Sequence, residues 1–445
     1  MKGYLFEKGF PSFFPSKKSL KKVCAMDMGL IVLIIGGLIF LALLFSALFQ
    51  YTRIPDVLPL VLIGIIIGPV LGWVKSEYLG KVGEVFTVAT LIVILLDGGL
   101  TLSVSSLKRS MMFGVLLTVL NFITISFSTM LILHFLLGFP YLHGLIAGSI
   151  LGGICSDVIV PMIEKLPIME KTRAALLLES TFSDVLCIVV TLGLIEAVNY
   201  NELDVLKILS RIGLTFLIAT AAGILAGFVW TPIIRHIRHF KNSTLATLAF
   251  AFLVYGIVEA FGYSGGITVL AYGITLNNIG TIHFGRKKYM RRMKVTKDCP
   301  EVLTGSEKSF LSEIVFLLKT LFYILIGISF RFNEYASILT AVLLTFISLQ
   351  IRIPVVWLAL DRTVKKKDAY LASIMVPRGL AAAVLSGIAI RAGLSYGEDI
   401  QNIIYSSIFI SIIITAVMAF LIETGIIRQP YKAVFKNFGE RWDEE

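Results

Sequence analysis

Three acids fall where the chain is otherwise apolar. Asp157 lies in G-S-I-L-G-G-I-C-S-D-V-I-V-P, and Glu179 and Asp184 lie in L-L-L-E-S-T-F-S-D-V-L-C-I-V-V-T. An ionised side chain at the centre of a bilayer costs roughly 2.5–3.5 kcal/mol on insertion scales. Three such acids within one helical hairpin therefore point to ion handling before they point to packing. Burial disfavours the ionised form of a carboxyl group, so such a group can hold a proton near neutral pH. The same carboxylate binds a proton or a metal cation, not both, and that competition is ion exchange in its simplest form. A cation site at membrane depth also needs oxygens, from hydroxyls and from carbonyls freed where a helix unwinds. Ser156, Asp157, Ser180, Ser183 and Asp184 supply the side-chain oxygens, with Asp184 and Asp157 as ligands of a transported Na+. Gly152 and Gly153 before Ser156-Asp157, and Pro161 after, mark the place where the helix breaks.

The elements that must hold these groups are helices. On a helix Glu179 and Ser183 are four residues apart, as are Ser180 and Asp184, which makes two adjacent stripes on one side. Glu179 then needs a counter-charge, and Arg352 in S-L-Q-I-R-I-P is buried deep enough in its own apolar run to form a structural ion pair with it. Arg378, in V-P-R-G-L, follows Pro377 and precedes Gly379 in a second breakable segment, where it is expected to neutralise exposed carbonyl ends. Arg378, Lys319 and Asp97 are candidate modulators; for the last two the simpler readings are a snorkelling lysine and an interfacial acid. The five histidines sit at span ends or in links and form no relay. The four cysteines, Cys24, Cys155, Cys187 and Cys299, have neither a paired nor a metal-ligand spacing, so no resident metal or other cofactor is expected.

The chain has 445 residues, 57% hydrophobic and only 16% charged, against about 25% charge in a soluble domain. Thirteen apolar segments are expected, at about 28–50, 56–74, 82–102, 111–137, 141–163, 170–199, 206–233, 243–261, 264–280, 310–330, 334–360, 368–392 and 400–427. This is an all-α polytopic membrane protein with one transmembrane domain over 28–427, between an N-terminal tail (1–27) and a short tail (428–445). The net charge of +11 does not indicate nucleic acid, because the basic residues lie in short links between apolar runs. Most of the 40 lysines and arginines fall on one side, which places the C-terminus in the cytoplasm and the N-terminus outside. The basic N-terminal tail opposes that orientation unless translation starts at Met26 or Met28. A short internal echo is present: G-I-I-I-G-P at 64–69 with G-I-T-L-N-N at 273–278, and L-L-D-G-G-L-T at 95–101 with I-L-I-G-I-S around Gly327. The copies lie seven spans apart, and an odd offset inverts the second repeat, as in many secondary transporters.

Taken in order, these features resemble the monovalent cation:proton antiporter superfamily, on its sodium/proton exchanger branch of NhaP-like and NHE-like proteins. Ser156-Asp157-Val158 stands where that branch has T-D-P, and L-E-S-T-F-S-D where it has G-E-S-x-x-N-D. Asp97-Gly98-Gly99-Leu100 stands for its acidic G-G-L. Arg352 and Arg378-Gly379 match a membrane arginine and an R-G dipeptide. Ser183 replaces the asparagine of the pattern, and Val158 its proline. The resemblance implies electroneutral exchange of Na+ or Li+ for H+ across the plasma membrane. It also implies a homodimer in the lipid bilayer, with a core domain (about 82–199 and 310–427) moving against a dimerisation domain. K+/H+ exchange on the same scaffold is the sister reading. An intramembrane aspartyl protease would also place acids in adjacent helices, but its Y-D and G-x-G-D motifs are missing, and a transporter rather than an enzyme is expected.

Overall fold

The computed structural model describes residues 57–74, 80–101, 107–199, 205–237, 245–283, 303–427 and 429–439, with a few helical positions between 36 and 44. The N-terminal tail, nearly all of the first expected span and most of the basic loop after residue 283 lie outside the described residues. Each later expected span coincides with helix. In chain order the helices are α1 (Val57–Ile65, running on through a wider turn, Ile66–Val70), α2 (Gly80–Thr101), α3 (Leu107–Leu137), α4 (Tyr141–Leu151), α5 (Ser156–Lys165), α6 (Glu170–Asn199), α7 (Val205–Ile237), α8 (Ala246–Ala260), α9 (Gly265–His283), α10 (Gly305–Ile328), α11 (Tyr335–Ala359), α12 (Lys366–Ile374), α13 (Leu380–Arg391), α14 (Gly397–Glu423) and α15 (Gln429–Val434). No strand is present among the described residues. Helix is what the apolar runs dictate, since a backbone in lipid must satisfy its own hydrogen bonds. Seven of these segments are long and apolar enough to cross a membrane, and four shorter ones are apolar along their length.

Two expected spans are split. The 141–163 span divides into α4 and α5 around Gly152–Cys155, and the 368–392 span divides into α12 and α13 around Met375–Gly379. The two unwound stretches cross, and the Cys155 N–H donates to the Pro377 carbonyl at 2.9 Å. Pro161 is not part of the break; it sits inside α5, a turn beyond Asp157.

The weak internal echo has a physical counterpart. α1 packs on α10, and α2 packs on α9, so each half of the first repeat meets the opposite half of the second. Both contacts are glycine on glycine. A Cβ added to Gly64 would stand 2.8 Å from the Gly327 Cα, and one added to Gly99 would stand 2.9 Å from the Gly273 Cα. Small residues let membrane helices approach to backbone distance. The breaks obey the same two-fold relation: Ser183 Oγ accepts from the Ile154 N–H at 3.0 Å, and Ser411 Oγ accepts from the Arg378 N–H at 2.9 Å. Each unwound segment thus has a freed backbone donor satisfied by a serine from the span that follows it. The result is an inverted-repeat fold with broken crossing helices.

The described part of the C-terminal tail is docked. Phe435 and Phe438 are fully buried, and the rings of Tyr370 and Phe435 lie 5.8 Å apart, which seats the segment after α15 on α12.

Candidate functional site

The two acids of α6 that were expected on adjacent stripes end up facing different surroundings. At 100° per residue, Leu177, Thr181, Asp184 and Ile188 form one face, and these residues line a cavity of roughly 740 Å³. Glu179 and Ser183 lie on the other side of α6, turned into the protein. Glu179 accepts from Arg352 through both oxygens, Nη1 to Oε1 at 2.6 Å and Nη2 to Oε2 at 2.8 Å, and Arg352 Nε donates to the Ala372 carbonyl at 2.8 Å. Both side chains are fully buried. The pair therefore ties α6 and α11 to the last turn of α12, just before the second break. Ser183 caps the first break, and Ser180 donates back to the Leu177 carbonyl of its own helix at 3.1 Å. Neither hydroxyl lines the cavity, because the stripe that carries Asp184 ends between positions 180 and 184.

The cavity wall holds Asp184, Asp157, Ser156, Lys319 and Asp97 together, along with Thr181 and Tyr323. Asp157 is in the first turn of α5, where the helix N-terminus favours negative charge. Its Oδ1 accepts from Lys319 Nζ in an ion pair that spans 162 positions of sequence. Ser156 Oγ donates to Asp184 Oδ2 at 3.0 Å. Among the described residues Asp184 makes no ion pair. A carboxyl group on a cavity wall, with one hydroxyl already aimed at it, is what a site for a small monovalent ion requires. No group of three or more His, Cys, Asp or Glu side chains forms a metal cluster among the described residues. Thr181 escaped the sequence reading; its signal was the three-residue spacing from Asp184.

Arg378 bridges the two breaks. Its backbone is in the second break, while its Nη1 donates to the Gly153 carbonyl of the first and its Nη2 donates to Ser348 Oγ at 3.1 Å. The carbonyl it neutralises belongs to the partner segment, not to its own. Gly379 is required at the crossing, because a Cβ there would lie 2.6 Å from the Cys155 Cβ.

The cavity is lined by Val57 and Leu60 at the start of α1, Thr101 at the end of α2, Ala174 near the start of α6 and Ser312 near the start of α10. It therefore reaches from the crossing breaks toward the end of the molecule where these helices begin or finish.

Crossed broken helices within an inverted repeat, with acids at the crossing, define a membrane transporter of the secondary type. The family model for sodium/hydrogen exchangers, transmembrane, matches residues 38–423, and the chain belongs to that family. A curated relative, Na(+)/H(+) antiporter 1 of Methanocaldococcus jannaschii, is 25% identical over 267 residues, covering 57% of this chain and 61% of that protein. The aligned part thus spans about three fifths of the relative's length. Among solved structures, the sodium proton antiporter MjNhaP1 from the same organism at pH 8 superposes with a TM-score of 0.71 at 22% identity, over 88% of this chain and 99% of that one. A second, electron-microscopy structure of MjNhaP1 gives 0.67 at 22% identity, over 90% and 99%. These likenesses establish a shared fold.

Proposed function

We propose that the protein exchanges Na+ or Li+ for H+, one for one, by competition of the two ions for Asp184. The observation that carries this reading is Asp184 itself: a carboxyl group on a membrane-depth cavity, hydrogen-bonded by Ser156 and lacking a counter-ion among the described residues. The proton satisfies it on one passage, and a cation shared with Asp157 and the Ser156 hydroxyl satisfies it on the other. The membership of an exchanger family and the names of the relatives support the ion class.

The distribution of basic residues supports a cytoplasmic C-terminus, and on that orientation the cavity opens inward. The reading then has the crossing breaks, Arg378 and the Glu179–Arg352 pair moving as one core about the site, within a homodimer in the plasma membrane. The test is proton flux in proteoliposomes driven by Li+, Na+ or K+ gradients, with wild type and Asp184→Asn side by side. Na+ or Li+ should drive flux in wild type and none in the variant. Wild-type counterflow in Asp184→Asn would overturn the assignment, and flux driven best by K+ would make the protein a K+/H+ exchanger on the same site.

A further inference from the structure

Lys319 and Asp97 have no part in that cycle, yet both line its cavity. The Lys319 ammonium is bonded to Asp157, so it occupies a carboxylate that an entering cation has to reach. A cation arriving there meets a fixed positive charge, and the ammonium must move aside or lose its proton. Among the described residues, three carboxylates line the cavity: Asp157, Asp184 and Asp97. Asp97 is the one that the exchange cycle proposed above leaves without a role. It lies on α2, which packs beside α10, near enough for its charge to act on the Lys319 ammonium. The Lys319 side chain is 26% exposed, and a lysine head on a four-carbon stem has freedom to swing.

We propose that Asp97 is the second berth of Lys319: the ammonium rests on Asp157 when no cation is bound and on Asp97 when one is, and it keeps its proton throughout. Asp97 is then a positioning residue that touches Lys319 and not the cation. This inference rests on the exchange reading above and adds a reason for its stoichiometry. Three carboxylates and one ammonium carry a formal charge of −2. One proton on Asp184, or one Na+ between Asp184 and Asp157, brings the cluster to −1 in either case, so voltage does no work on the cycle. Without Asp97 the displaced ammonium has no anion to receive it, and releasing its proton becomes the easier course. A second proton then moves per cation, and exchange becomes sensitive to voltage.

The experiment uses the purified full chain in proteoliposomes, as wild type, Asp97→Asn, Asp97→Glu, Lys319→Gln and the double variant Asp97→Asn/Lys319→Gln. Proton flux is measured against Na+ concentration, with and without a diffusion potential set by a permeant lipophilic ion. Asp97→Asn should raise the KM for Na+ about tenfold, a usual size for coupling between two charged sites, with a smaller effect on maximal flux and a new dependence on voltage. Asp97→Glu should restore both. In the Lys319→Gln background the same Asp97 change should leave KM within about twofold, since the group it serves is gone. An unchanged KM and voltage response in Asp97→Asn would overturn the proposal. Equal KM increases in both backgrounds would also overturn it, and would make Asp97 a direct cation ligand. A lowered melting temperature that Asp97→Glu does not repair, with KM unmoved, would reduce Asp97 to a packing residue. Asp97→Ser carries the same expectations if Asp97→Asn is not recovered folded. A wild type that exchanges no alkali cation fails the exchange reading itself, whereas the comparison of the two backgrounds fails this inference alone.

Discussion

Replacing Glu179 by Gln should damage the protein more than replacing Arg352 by Gln, and replacing both should cost no more than the worse single change. Arg352 is fully buried and gives two hydrogen bonds to Glu179 and one to the Ala372 carbonyl. Removing one partner of such a pair costs about 3–5 kcal/mol, because an uncompensated charge stays behind in the interior. The two orphans are not equivalent. An abandoned carboxylate can neutralise itself by taking up a proton, while an abandoned guanidinium cannot lose one. Glu179→Gln should therefore stand near the upper end of that range, and Arg352→Gln at or below the lower end. If the losses were additive the double variant would lose up to about 8 kcal/mol, enough to unfold a protein of ordinary stability. If they are coupled it leaves two neutral amides and stays folded. The assay is a double-mutant cycle on the melting midpoint of purified protein in detergent, with Na+ concentration and pH fixed. A double variant that melts as far below each single as the sum requires would refute the pairing energetics. The reverse order of the two singles would refute the argument from self-neutralisation.

Two further outcomes follow from the crossing and from the surface. Gly379→Ala should cost about 1–3 kcal/mol through overpacking against Cys155, and Cys155→Gly in the same chain should recover much of the lost melting temperature; no recovery would mean that the crossing is not in contact there. Outside the membrane, the hydrogen bond from Lys171, with help from the Thr363 N–H, holds the Asp361 carboxyl below the usual carboxylate range. A depressed folded value means that its contribution is present above pH of about 4 and is lost as pH falls through the folded value. Lys171 is 44% exposed, so solvent screens the pair and Lys171→Gln should lower stability by less than about 1 kcal/mol at pH 7. That small difference should shrink as pH falls below about 4; a difference that grows on acidification would contradict it.

Much of the fold was legible because hydropathy and helix breaking are local. A run of about twenty apolar residues must become helix in lipid whatever its neighbours are, and Gly152-Gly153 and Pro377 through Gly379 mark where two of those helices cannot continue. The acids at membrane depth were equally plain, since no local packing explains an Asp157 or an Asp184. Glu179 and Arg352 could be matched because each was a buried charge in need of the other. Tertiary structure decided the rest. Lys319 meets Asp157 across 162 positions, and Arg378 reaches the Gly153 carbonyl across 225. Such partners are set by how the two repeats interlock, with α1 on α10 and α2 on α9, and no periodicity within one span records that. Nor does a helical wheel say which side of α6 faces the cavity. Glu179 and Asp184 have similar chemistry and similar neighbours in sequence, yet one is enclosed against Arg352 and the other is left on the cavity wall. The difference is the direction each Cβ takes: Arg352, reaching from α11 and held by Ala372 of α12, encloses Glu179 on one face of α6, while the cavity shared with α5 and α10 stays open on the other.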